Sequence, residues 1–93
     1  MSDRVLVVED EPDIVELVSY NLQQAGMIVE AAADGESALA IAEARRPDLI
    51  ILDLMLPGMD GLEVCRRLKH KESVRHIPVL MLTAKSEEVD RIV

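Results

Sequence analysis

Acidic residues follow apolar runs at two places in this 93-residue chain. Asp53 closes the run Leu49–Leu52 and precedes Leu54-Met55-Leu56-Pro57-Gly58-Met59-Asp60-Gly61. Glu9, Asp10 and Glu11 follow the run Val5–Val8. A third run, Ile77–Leu82, ends in Thr83 and Ala84. Carboxylates from the ends of adjacent parallel strands can converge on one pocket, and that end of an open parallel sheet is where ligands bind. Glu9, Asp10 and Asp53 would meet there. Two or three oxygens in a wet cleft suit magnesium, which keeps several waters and takes one or two carboxylates. Asp53 could instead act as a nucleophile and form an aspartyl phosphate, with a metal neutralising the phosphoryl oxygens. Thr83 adds a hydroxyl at the same edge, and the Ala84 backbone N–H can meet a phosphoryl oxygen.

Such a pocket requires parallel strands of one polarity. Residues 4–9 read as a first strand. Pro12 suits the first turn of a helix, along which Ile14, Leu17, Val18, Leu22 and Ala25 recur at close to helical spacing until Gly26. Residues 27–32 form a weaker strand. After the turn signal Asp34-Gly35, a helix spans about Glu36–Ala44 with Ala38, Leu39 and Ala42 inward, closed by Arg45, Arg46 and Pro47. Leu49–Asp53 is the third strand. Gly61 to about His70 is a third helix, with Leu62, Cys65 and Leu68 on one stripe. Lys71–His76 is a polar connection and Ile77–Leu82 a fourth strand. Ser86 can cap a last helix with Glu87 and Glu88 in its first turn. The first, third and fourth strands are apolar on both sides of the pleat, as parallel strands covered by helices on both faces are. The alternation gives an α/β, doubly wound parallel sheet with right-handed crossovers.

Composition narrows the function. Residues 1–93 make one small domain that buries about 60–65% of its unfolded surface. Tyr20 is the only aromatic residue, so bases or a flavin find no ring to stack on. The net charge of −8 argues against direct nucleic-acid binding and against anionic membranes, but favours a cation. Cys65 is the only cysteine. It suits a reducing, cytoplasmic setting and reads as filler on a buried helix face. No run approaches membrane-spanning length. Taken singly, each acid feature has an ordinary explanation: a helix start for Glu9–Glu11, a turn for Asp53, a cap for Thr83. Their common strand polarity is what joins them. His70 and His76 read as exposed, and Arg66, Arg67, Lys69 and Lys71 as a solvated helix end.

Three segments together carry a family resemblance: Val5 to Glu11, Asp53 to Gly61, and Ile77 to Ala84. Their order and wording resemble receiver domains of bacterial two-component response regulators. The Asp-Leu-Met-Leu-Pro-Gly wording is closest to the winged-helix transcription-factor branch, the phosphate-regulon and osmoregulation type. The resemblance implies a flavodoxin-like fold of strand order 2-1-3-4, then 5. It implies Asp53 as phosphoacceptor, Asp10 as a direct magnesium ligand, Glu9 as a ligand through water, Met55 as a backbone-carbonyl ligand and Thr83 as the switch hydroxyl. The phosphoryl donor would be a phosphohistidine on a sensor histidine kinase, and the domain would at most phosphorylate and dephosphorylate itself slowly. A transcriptional output domain would lie outside this chain.

Family members continue through a fifth strand and a fifth helix, with a lysine ending that strand and an aromatic switch residue on it. Here the sequence runs to Val93, so the receiver is expected to be incomplete at its C-terminus, with strand five and helix five missing. Lys85 follows Ala84 directly and does not take the lysine's place. Strand four would then be an apolar edge open to self-association or domain swapping. Three alternatives to the switch stand beside it. A magnesium-dependent phosphatase would want an acid at position 55, where Met55 stands. A flavodoxin-like carrier would want a phosphate loop and aromatics. A truncated remnant would keep the motif with impaired phosphorylation.

Overall fold

The computed structural model describes residues 3–56, 58–82 and 90–92. The elements are β1 (Arg4–Val8), α1 (Pro12–Gln24), β2 (Ile28–Ala32), α2 (Gly35–Arg45), β3 (Leu49–Asp53), α3 (Gly61–Lys69), β4 (Val79–Leu82) and β5 (Asp90–Ile92). The sheet order is β2-β1-β3-β4-β5. The first four strands are parallel, in the order 2-1-3-4. This is the doubly wound sheet that the apolar runs imply.

Because side chains alternate across a strand, each run feeds two cores. Leu6, Val8, Ile50, Leu52, Val79 and Met81 face α2 and α3, where Ala38, Leu39, Ala42, Val64, Cys65 and Leu68 meet them. Val5, Val7 and Ile51 point the other way, toward Val18 and Leu22 of α1. Cys65 is buried filler, as its stripe predicts. Burial pushes its thiol pKa up, against the nearby Lys69 charge.

Helices α2 and α3 start where a short acid takes an orphan backbone N–H. Asp34 accepts from Ser37 N at 2.8 Å and Asp60 from Glu63 N at 3.0 Å. Gly26 closes α1 at φ 89°, a left-handed conformation that glycine adopts freely. Lys69 donates from Nζ to the Ile77 carbonyl at 2.8 Å and the Arg75 carbonyl at 3.2 Å. It thereby ties the end of α3 to the connection before β4.

Three features differ from the sequence reading. Ile14 and Leu17 are 40% and 63% exposed, because α1 meets the sheet through Val18 and Leu22 alone and the rest of its stripe turns outward. Leu62 is likewise 63% exposed, and Val64 takes the inward place on α3. Residues 90–92, expected inside a fourth helix, form β5 instead. It pairs antiparallel with β4, Leu80↔Ile92, Met81↔Arg91 and Leu82↔Asp90. The outer edge of β4 is therefore occupied along Leu80–Leu82, not open to a second chain. Edge N–H and C=O groups need partners, a nonlocal demand that local pattern does not register; Ser86, Glu87 and Glu88, expected to open that helix, lie outside the described residues.

Candidate functional site

Register brings the acids together. β1 and β3 pair in parallel with Val8 opposite Leu52. The next residues, Glu9 and Asp53, therefore leave the sheet side by side, and Asp10 follows. One oxygen from each of Glu9, Asp10 and Asp53 lies within 4.8 Å of the others. Glu9, Asp10, Glu11, Ile14, Asp53, Met55 and Leu82 line an open cleft around them.

Backbone groups orient two of the carboxylates. Asp53 Oδ1 accepts from the Met55 N–H at 3.0 Å. Glu9 Oε2 accepts from the Glu11 N–H at 3.1 Å. Behind Asp53, the Leu54 N–H donates to the Leu82 carbonyl at 3.1 Å, which ties the start of the loop to β4. Among the described residues, none of the four ion pairs involves Glu9, Asp10 or Asp53. Among the described residues, the cluster is a concentration of negative charge without a cationic side chain bonded to it.

Glu9 registers that charge. Burial raises its pKa from 4.5 to about 7, assisted by the Asp53 charge, a carboxyl hydrogen bond to Asp53 and the Asp10 charge. The Glu11 N–H acts against this. Close like charges favour keeping a proton in the cluster. A hard cation would replace that proton, and the all-oxygen, partly wet donor set suits magnesium.

Of the residues singled out from sequence, Glu9, Asp10, Asp53 and Met55 come together in this cleft. Thr83 and Ala84 lie outside the described residues; Leu82, just before them, pairs with Asp53 in the sheet register. Sequence reasoning missed the walls of the cleft, Ile14 and Leu82, since each reads as core. The basic end of α3 is a solvated face: Arg66 and Arg67 pair with Glu63 at 2.6 and 2.9 Å, and Lys71 with Glu43 at 2.8 Å.

Residues 5–93 match the family described as the response regulator receiver domain. The chain belongs to that family. It is 51% identical over 92 residues to the alkaline phosphatase synthesis transcriptional regulatory protein PhoP of Bacillus subtilis, covering 99% of this chain and 38% of PhoP. It is 51% identical over 89 residues to the DNA-binding dual master transcriptional regulator RpaA of Synechocystis, covering 96% of this chain and 37% of RpaA. The chain thus spans well under half the length of these relatives. Among solved structures, the receiver domain of the sensor histidine kinase PA1611 from Pseudomonas aeruginosa matches with a TM-score of 0.88 at 33% identity, covering 95% of this chain and 72% of that one. That structure has a magnesium ion coordinated in its active-site cleft. The chain is a response regulator receiver domain homologous to these transcriptional regulators. No described helix is long and apolar enough to cross a membrane.

Proposed function

We propose that this receiver is a phosphorylation-controlled switch in which Asp53 takes a phosphoryl group from a phosphohistidine of a sensor histidine kinase. One observation carries the reading: three carboxylates from the ends of β1 and β3 converge within 4.8 Å around Asp53. In the transfer, an Asp53 carboxylate oxygen forms the new P–O bond as the P–N bond to the donor imidazole breaks. The imidazole leaves with its electron pair and takes up a proton. The Met55 N–H fixes Oδ1 of Asp53 and so holds the carboxylate plane during attack.

Magnesium, when bound, would neutralise charge on the phosphoryl oxygens. Asp10 and Asp53 would hold it directly, Glu9 through water and Met55 through its backbone carbonyl. Thr83 would turn its hydroxyl toward the phosphoryl group and the Ala84 N–H would bond it, both following directly on Leu82. The added charge at Asp53 would bias the segment that follows Leu82 and thereby an output domain outside residues 1–93, which form the receiver. Self-phosphorylation and self-dephosphorylation would be slow. The net charge of −8 supports a domain that does not itself bind nucleic acid or anionic membrane, and the single cysteine suits a cytoplasmic setting.

Intact-mass measurement after incubation with Mg2+ and acetyl phosphate tests this. A single phosphoryl adduct, dependent on Mg2+ and lost in Asp53→Asn, supports the switch. Continuous phosphate release would favour the phosphatase. No adduct on a folded chain would leave the remnant reading.

A further inference from the structure

Gly61 opens α3 with an ordinary negative φ, unlike Gly26 and Gly58, whose φ values are 89° and 77°. Conformational freedom therefore does not explain a glycine there. Space does. A Cβ on Gly61 would lie 2.7 Å from the Leu54 Cα, 2.8 Å from the Asp53 carbonyl oxygen and 2.9 Å from Leu54 Cδ2. Two of those atoms are backbone and cannot rotate away. The Gly61 N–H also points to the Leu54 carbonyl at 3.4 Å. The first turn of α3 is thus seated directly on the Asp53–Leu54 peptide.

We propose that Gly61 is a positioning residue for Asp53. Its bare Cα lets α3 press the Asp53–Leu54 peptide into the one placement in which the Met55 N–H meets Asp53 Oδ1 and the carboxylate faces Glu9 and Asp10. A methyl group would push α3 and that peptide apart, and the Asp53 carboxylate would move with its own backbone. Gly35 makes a useful contrast. Its nearest obstacles are side-chain atoms, Val64 Cγ2 at 2.8 Å and Met59 Cβ and Sδ at 3.2 and 3.3 Å, and none belongs to the Asp53–Leu54 peptide. The proposal rests on Asp53 as metal ligand and phosphoacceptor.

The test uses Gly61→Ala beside Gly58→Ala, which strains the same loop but has nothing within 4 Å of its added Cβ. Thermal melts report folding. Calorimetry reports the Mg2+ Kd, and intact mass reports the adduct rate with acetyl phosphate at saturating Mg2+. Gly61→Ala is expected to weaken Mg2+ about 10–100-fold, as loss of a group orienting a ligand does, and to slow adduct formation even at saturating Mg2+. Gly58→Ala should lower Tm while keeping Kd and rate close to wild type. Adding Leu54→Ala to Gly61→Ala should not restore either quantity, because the two backbone contacts remain. Wild-type Mg2+ affinity and rate in Gly61→Ala, with Asp53→Asn inactive, would overturn this proposal alone; so would rescue by Leu54→Ala. Absence of Mg2+ binding and adduct in the wild type would overturn the phosphoacceptor reading and this proposal with it. If Gly61→Ala is unfolded without metal, a Mg2+ titration followed by circular dichroism replaces calorimetry. Once the unfolding constant measured in urea is factored out of the apparent affinity, an intrinsic Kd equal to wild type overturns the proposal, and one about tenfold weaker supports it.

Discussion

Glu9 should make the metal-free protein less stable as pH rises through neutrality. Its folded pKa of about 7 stands above the ordinary 4.5. Between those values the folded state binds more protons than the unfolded one, so stability falls with increasing pH. The contribution is fully present below 4.5 and fully lost above about 7. The whole displacement would amount to ~3 kcal/mol at roughly 1.4 kcal/mol per unit. Glu9 is only half-buried, and solvent screening reduces this to on the order of 1 kcal/mol. For a domain of this size that corresponds to a fall in Tm of about 4–8 °C, most of it between pH 5 and pH 8. Glu9→Gln removes the titration, so its Tm profile should be flat over that window and lie above wild type at pH 8. Metal and proton compete for Glu9, so Mg2+ affinity should rise with pH. With a pKa of about 7, the ionised fraction grows from ~0.1 at pH 6 to ~0.9 at pH 8, hence about tenfold tighter binding. Calorimetric melts at constant ionic strength, with and without Mg2+, read both effects. Parallel wild-type and Glu9→Gln profiles would refute the reasoning.

Other perturbations follow from the same geometry. Glu63 is held down to about 2 by hydrogen bonds from Arg66 and Arg67; its stabilising effect is present above 4.5 and lost as pH falls toward 2, so Glu63→Gln should flatten the acid limb of a denaturation curve. Asp60→Ala deletes the cap on Glu63 N and should cost about 1 kcal/mol in urea unfolding. Leu68→Ala, at a side chain 1% exposed between α3 and the sheet, should cost about 2–5 kcal/mol and lower the urea midpoint without changing the Mg2+ Kd of molecules that remain folded. Lys69→Met leaves the Arg75 and Ile77 carbonyls without their donor, and amide exchange in residues 71–77 should accelerate while that of β1 and β3 is unchanged.

The site was legible in the sequence where local pattern and tertiary demand coincide. Val5–Val8 and Leu49–Leu52 are apolar on both faces, so they had to be covered parallel strands, and the acids after them had to emerge at one edge. Ala38, Leu39 and Ala42 faced inward as their helical spacing implies, and the two alanines let α2 approach the sheet. The same logic failed where a nonlocal partner decides. Ile14 and Leu17 continue a good helical stripe, yet α1 needs only Val18 and Leu22 to seat itself. Residues 90–92 form a strand because the β4 edge requires partners, and no local signal announces that. Asp60-Gly61 looks like a turn in sequence. The need for glycine comes from the Asp53 carbonyl oxygen, 2.8 Å from where a Cβ would sit.

The central claim is that Asp53 is the residue phosphorylated. Mapping the adduct tests it most directly: protein treated with Mg2+ and acetyl phosphate is digested, and the modified peptide is sequenced by tandem mass spectrometry. The account predicts a single acyl phosphate on Asp53, absent when Mg2+ is chelated. A phosphoryl group on any other residue, or one that persists in Asp53→Asn at the wild-type level, would contradict it.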